Sequence, residues 1–224
     1  MKTVTVVIPA YNEEERIGAT LRAVMQRGFA GEIIVVDDGS SDNTAMIARD
    51  AGARVIQLER NLGKGEALNR AAACVSSDVV VFLDADLGDS AGQGELLVKP
   101  VLEGLADVAV ARFPRPKKKG GFGLVKKLAA WGIRQAGMEV KEPLSGQRAM
   151  SREVLRDVLP FHGGFGIEVG MSIRALRHGY RIIEVDTSMS HAETGRNIKG
   201  FLHRGRQFLD VLKVIIVEAR GGGG

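Results

Sequence analysis

The sequence predicts an α/β fold, a mostly parallel sheet flanked on both faces by helices. Three observations predict it. β-Branched apolar runs alternate with helix-period segments through the first hundred residues. Those runs are apolar at consecutive positions, as in strands covered on both faces. Polar, acidic or Gly-rich residues follow each run, which is the chemistry expected where parallel strands end at one edge of an open sheet.

A strand over residues 4–8 opens the chain, and a helix over 13–26 follows. Strand 33–36, helix 43–51, strand 54–58 and helix 65–74 continue the alternation. Strand 79–83 is wholly apolar, and a helix over 95–105 leads to strand 108–111. Residues 114–123 are a Pro/Lys/Gly loop. Basic amphipathic helix 124–136, short helix 151–158, helix 167–177, strand 182–185 and helix 200–219 complete the order. Gly179 lies just past the 167–177 helix, where a left-handed residue ends a helix readily. In the last helix Phe201, Phe208, Leu209, Leu212, Ile215 and Ile216 share one face, opposite His203, Arg206, Asp210 and Lys213. The four closing glycines, 221–224, are expected to form a disordered tail. Residues 1–220 read as one domain, in halves 1–111 and 112–220.

Composition narrows the class. With 45% hydrophobic and 26% charged residues in 224, the chain is globular and neither disordered nor a fibrous repeat. One cysteine, Cys74, excludes an internal disulfide framework and a multi-cysteine zinc site. No apolar stretch approaches the ~18 residues of a membrane span, and the N-terminus lacks a signal-peptide layout. A cytoplasmic location is expected. The net charge of +4 is local in origin. Arg112, Arg115, Lys117, Lys118, Lys119, Lys126 and Lys127 fall in sixteen residues without an acid, leaving 24 basic residues against 27 acidic elsewhere. That is a patch, not a nucleic-acid-binding surface.

The residues after the strands carry the chemistry. Pro9-Ala10-Tyr11-Asn12-Glu13 follows the first strand, where a dinucleotide fold would place G-x-G-x-x-G. Gly63-Lys64-Gly65 lacks the Ser or Thr of a phosphate-binding Walker loop. Asp37-Asp38-Gly39-Ser40 follows the second strand; Ser41 or Asp42 can cap the next helix, and a carboxylate at the strand end can accept a pyrimidine imide N–H. Asn61-Leu62-Gly63-Lys64-Gly65 places backbone N–H groups and an ammonium at a helix start, which suits phosphate. Asp84-Ala85-Asp86 ends the apolar fourth strand. Residues two apart in an extended segment project to one side, so both carboxylates can face one cation. Hard oxygen donors suit Mg²⁺ or Mn²⁺.

In this order and spacing, these four motifs resemble the nucleotide-sugar-binding half of the family 2 glycosyltransferases, which have the Rossmann-like GT-A fold. Pro143-Leu144-Ser145-Gly146-Gln147-Arg148-Ala149 and Gly164-Phe165-Gly166-Ile167-Glu168 resemble the acceptor portion of glucosyl-3-phosphoglycerate synthases and, more loosely, of polyprenyl-phosphate sugar transferases. The resemblance implies metal-dependent transfer of a sugar, UDP-linked, to an anionic phosphate-bearing acceptor, 3-phosphoglycerate-like or polyprenyl phosphate. It implies that Pro9, Ala10, Tyr11, Glu13, Asp37 and Asp38 line the base and ribose. Lys64 then contacts the nucleotide, Asp84 and Ala85 adjoin the ribose or sugar, and Asp86 and His191 hold Mg²⁺ or Mn²⁺. Glu168 serves as general base beside Lys64 and Asp86, and Ser145, Gly146 and Arg148 bind the acceptor.

Other readings stand beside this one. Asp84 and Asp86 fit a haloacid-dehalogenase-like phosphatase, although that pair usually follows a first strand. A non-catalytic sugar-nucleotide or membrane-surface binding module is the third class. The basic segment 112–131 either forms a solvated loop or draws the protein to the inner face of a membrane through anionic lipid headgroups, with Phe122, Leu124, Leu128 and Trp131 entering the interface. A homodimer is compatible with the sequence.

Overall fold

A computed structural model describes residues 2–114, 123–190 and 200–221, the side chains of 200–204, 206 and 221 excepted. Expectations for Arg115, Lys117, Lys118, Lys119, Phe122, His191 and residues 222–224 lie outside the described residues, as do those for the side chains of Phe201, His203 and Arg206.

Seven strands form one sheet. They are β1 (Val4–Ala10), β2 (Glu32–Asp37), β3 (Arg54–Gln57), β4 (Val79–Phe82), β5 (Val108–Arg112), β6 (Arg148–Ser151) and β7 (Ile182–Asp186). Their order is β3-β2-β1-β4-β6-β5-β7. The helices among the described residues are α1 (Ile17–Arg27), α2 (Thr44–Asp50), α3 (Lys64–Ala72), α4 (Gly94–Leu102), α5 (Gly123–Gln135), α6 (Arg152–Val158), α7 (Ile167–Arg177) and α8 (Gly200–Gly221). None is long and apolar enough to cross a membrane. α8 includes Gly221, so the expected tail does not begin there.

Burial explains the consecutive apolar residues. On β1, Val4, Val6 and Ile8 enter the core cluster shared with α1 and α4, while Val7 enters the opposite one with α3, α6 and α7. β4 divides the same way, Val79 and Val81 to one face, Val80 and Phe82 to the other. Full burial of each such side chain contributes about 1.5–3 kcal/mol. A third cluster joins α5, α7 and α8 through Ala129, Ile133, Ile173, Val211 and Ile215.

β6 was not foreseen. Four residues beginning with arginine, after a Ser-Gly turn, carry no strand signal of their own. It lies antiparallel between β4 and β5, pairing Phe82 and Val110 with Arg148. The other pairings are parallel. An antiparallel strand begins where its parallel neighbours end. Residues 145–147 are therefore delivered to the carboxyl edge of β4, beside Asp84.

Candidate active site

The site is assembled at the carboxyl edge from turns that hold one another. Ala10 pairs with Asp37 at the ends of β1 and β2, and the Asp38 N–H donates to the Ala10 carbonyl at 2.8 Å. Beyond the strands, the Asn12 N–H donates to Ser40 Oγ, and Asn12 Oδ1 accepts from the Ser41 N–H, both at 2.9 Å. The Glu13 N–H donates to Thr44 Oγ1 at 2.8 Å. Asp42, of the two expected caps, accepts the Thr44 N–H at 3.0 Å. Tyr11 is half exposed above this platform, and Pro9 is partly buried.

Asp38 is buried, and both its oxygens are engaged. Oδ1 accepts the Leu62 N–H and Oδ2 the Gly63 N–H, each at 2.8 Å. The carboxylate expected to hold the base thus also anchors the Asn61–Gly63 turn that leads into Lys64. Asp37 is fully buried; Oδ1 accepts the Ser40 N–H at 3.3 Å, and Oδ2 has no hydrogen-bond partner among the described residues.

Lys64 is the first residue of α3, and its ammonium joins three elements. Nζ donates to Asp84 Oδ1 at 2.8 Å and to Glu168 Oε1 at 3.2 Å. Burial opposes the ammonium charge, but Asp84 and Glu168 outweigh it and raise the lysine pKa. Two glycines make the convergence sterically feasible. A Cβ on Gly65 would meet the His162 carbonyl oxygen at 2.3 Å, so glycine lets the 159–164 loop close on α3. A Cβ on Gly146 would meet Lys64 Nζ at 2.6 Å, Glu168 Oε1 at 3.4 Å and Asp84 Oδ1 at 3.5 Å.

Asp84 and Asp86 are partly buried and Ala85 is buried between them, as their alternation predicts. Thr20 of α1 fixes this turn: its hydroxyl donates to the Ala85 carbonyl at 2.7 Å and accepts the Gly88 N–H at 2.9 Å. Gln147 had no assigned role in the sequence. It is fully buried, and its Nε2 donates to Asp84 Oδ2 at 2.5 Å. No periodicity marks it; only the antiparallel entry of β6 puts it there.

Glu13 faces the Asp86 charge. Burial and then Asp86 push the Glu13 carboxyl up from its ordinary value, against an opposing Arg16. Among the described residues no three His, Cys, Asp or Glu side chains form a metal-binding group. His191, the second expected ligand, lies beyond them. The segment leading to it is tied to the Asp86 side: the Ser188 N–H donates to Gln93 Oε1 at 2.6 Å and the Ser190 N–H to Ser90 Oγ at 3.2 Å.

Arg148 requires a correction. It was expected in a loop, binding the acceptor. It lies instead on β6, 1% exposed, with its guanidinium turned into the protein. Nη2 donates to the Ser145 carbonyl at 2.6 Å and Nη1 to the Glu168 carbonyl at 3.2 Å. Burial lowers its pKa to about 10, opposed by the Glu168 charge, so it stays protonated at neutral pH. A cation so enclosed holds the 145–147 turn and the start of α7 together from behind the site. Ser145 is likewise buried, and its Oγ has no partner among the described residues.

Residues 5–165 match the model of Glycosyl transferase family 2. The chain belongs to that family. Its fold is the GT-A fold: the crystal structure of Mycobacterium tuberculosis glucosyl-3-phosphoglycerate synthase in complex with phosphoglyceric acid aligns with a TM-score of 0.81 at 31% identity, over 97% of this chain and 80% of that one. The M. tuberculosis enzyme is 38% identical over 196 residues, 77% of this chain and 60% of the relative. Haloferax volcanii glycosyltransferase AglJ is 31% identical over 191 residues, 83% of this chain and 62% of the relative. The chain therefore spans about three fifths of these curated relatives. Family membership, with the Asp84–Asp86 pair after the fourth strand, sets the phosphatase reading aside.

Proposed function

We propose that this family 2 chain transfers a sugar from a UDP-linked donor to a phosphate-bearing acceptor of the 3-phosphoglycerate type. The observation that carries the reading is the meeting of Lys64, Asp84 and Glu168, from three separate elements, at one point of the carboxyl edge. Support comes from the M. tuberculosis synthase, solved in complex with Mn²⁺, UDP and phosphoglyceric acid at 31% identity and a TM-score of 0.80.

In this reading Pro9, Ala10, Tyr11, Glu13, Asp37 and Asp38 form the base and ribose side. Asp84 and Ala85 adjoin the ribose or sugar. Lys64 has three N–H groups, and two are given to Asp84 and Glu168; the third serves the diphosphate. Asp86, with the acidic field also felt by Glu13, supplies hard oxygen chemistry that fits Mg²⁺ or Mn²⁺, and His191 completes the set. When bound, that cation offsets charge building on the departing diphosphate. Ser145 and Gly146 border the acceptor. In attack with inversion a hydroxyl nucleophile sheds its proton as the new glycosidic bond forms and the bond to the diphosphate breaks, and in this reading Glu168 takes it. The test is UDP release from UDP-sugars with and without 3-phosphoglycerate. Release that ignores every phosphate-bearing acceptor would refute the acceptor class.

A second acceptor, a lipid-borne phosphate, is favoured by one feature. The outer stripe of α5 carries Leu124 at 75% exposure and Trp131 at 48%, interleaved with exposed Lys127 and Arg134, and the helix contains no acid. Such a stripe suits peripheral contact at the inner, anionic face of a membrane for a cytoplasmic protein. Sedimentation with phosphatidylglycerol vesicles that weakens with salt would support it; equal sedimentation with neutral vesicles would not.

A further inference from the structure

We infer that Gln147 is a positioning residue, acting through Asp84 on the ribose of the donor nucleotide. The inference rests on the donor-site reading above.

Asp84 is gripped from two sides. Lys64 at the start of α3 donates to Oδ1 at 2.8 Å, and Gln147 at the entry to β6 donates to Oδ2 at 2.5 Å. The amide orientation is set by chemistry, because an ionised carboxylate accepts only, so the NH₂ group must face it. Two donors on opposite oxygens fix the plane of the carboxylate before any ligand arrives. Pre-set geometry of this kind lowers the ordering cost of binding.

A space-filling role does not account for the residue. Gln147 is 0% exposed, and its Oε1 is buried with no hydrogen-bond partner among the described residues. A buried amide carbonyl left unpaired costs stability, and an apolar side chain of the same size would avoid that cost. What the amide supplies, and an apolar side chain cannot, is a strong, charge-assisted bond to Asp84. Charges near Asp84 among the described residues include Lys64, Glu168 and the enclosed Arg148. Lys64 donates to Oδ1, and the two terminal nitrogens of Arg148 donate to the Glu168 and Ser145 carbonyls.

The experiment is calorimetric titration of UDP, with Mn²⁺ present, into the full chain and four variants. Gln147→Met keeps size and removes the donor; UDP affinity should fall up to about tenfold, the cost of ordering one side chain on binding. Gln147→Glu also keeps size but sets a second carboxylate against Asp84, so it should bind UDP more weakly than Gln147→Met. Asp84→Ala alone and with Gln147→Met should bind UDP equally, because a residue acting through Asp84 has nothing left to position. Gln147→Met affinity equal to the parent, Gln147→Glu affinity equal to or above that of Gln147→Met, or a full Gln147→Met loss in the Asp84→Ala background would each overturn the inference. Should Gln147→Met fold poorly, Gln147→Asn retains the amide one methylene short of Asp84. Weakened UDP binding there supports the inference and unchanged binding overturns it. No UDP binding by the parent chain refutes the donor reading and the inference with it, an outcome distinct from all of these.

Discussion

Lys64 and Glu168, 104 residues apart in the chain, meet at 3.2 Å, and Gly146 lies against the lysine ammonium. The space taken by that contact is space a single methyl group would fill.

Gly146→Ala should therefore damage the site more than the fold. The added Cβ meets the far end of a flexible lysine, which can swing away, so the melting temperature should move by only a few degrees. The displaced ammonium leaves Asp84 and Glu168, and sugar-transfer activity should fall on the order of 10²-fold. Steady-state kinetics beside a thermal melt checks this. Full activity would show that Lys64 is not needed where the structure puts it.

Asp38→Ala releases the Asn61–Gly63 turn. Two charge-assisted hydrogen bonds to backbone N–H groups are lost, each worth about 1.5–3 kcal/mol at most. Both stability and UDP affinity should drop together, measured by denaturant unfolding and titration. Asp38→Asn keeps one acceptor and should fall between the two.

The sequence made one half of this site readable and left the other obscure, for a physical reason. Asp38, Lys64, Asp84 and Asp86 each follow a parallel strand whose apolar run is unmistakable, so their common edge could be inferred. Gln147 and Arg148 depend on β6, a four-residue strand recognisable only once β4 and β5 flank it. Without that strand, Arg148 reads as a loop cation aimed at an acceptor, and Gln147 as a bystander. The helices lie within a few residues of their expected bounds, and the longer ones do so because their apolar faces repeat over two turns or more.

Arg148→Met tests the corrected role. Removing the donor that holds the buried Ser145 and Glu168 carbonyls should lower stability by about 1–3 kcal/mol, the cost of leaving a buried acceptor unpaired. Arg148→Lys should not restore it, since an ammonium cannot span both carbonyls as a guanidinium fork does. Unchanged unfolding free energy in Arg148→Met would return Arg148 to the surface.

The Lys64 charge also makes a pH prediction. Its pKa is raised in the folded chain by Asp84 and Glu168, against burial. Its contribution is therefore complete below the unfolded lysine value of about 10.4 and is lost as pH rises toward the folded value. The stability difference between the parent and Lys64→Met, from urea unfolding, should be constant between pH 7 and 9 and shrink by pH 11. A difference unchanged at pH 11 would deny the ion pairs a part in stability.

The most direct test of the account is UDP release from UDP-glucose with 3-phosphoglycerate and Mn²⁺, compared between the parent chain and Asp86→Ala. Release should require both acceptor and metal, and should be lost in Asp86→Ala while that variant still melts at the parent temperature. Release by Asp86→Ala at the parent rate, or none by the parent with any nucleoside-diphosphate sugar and any phosphate-bearing acceptor, would contradict it.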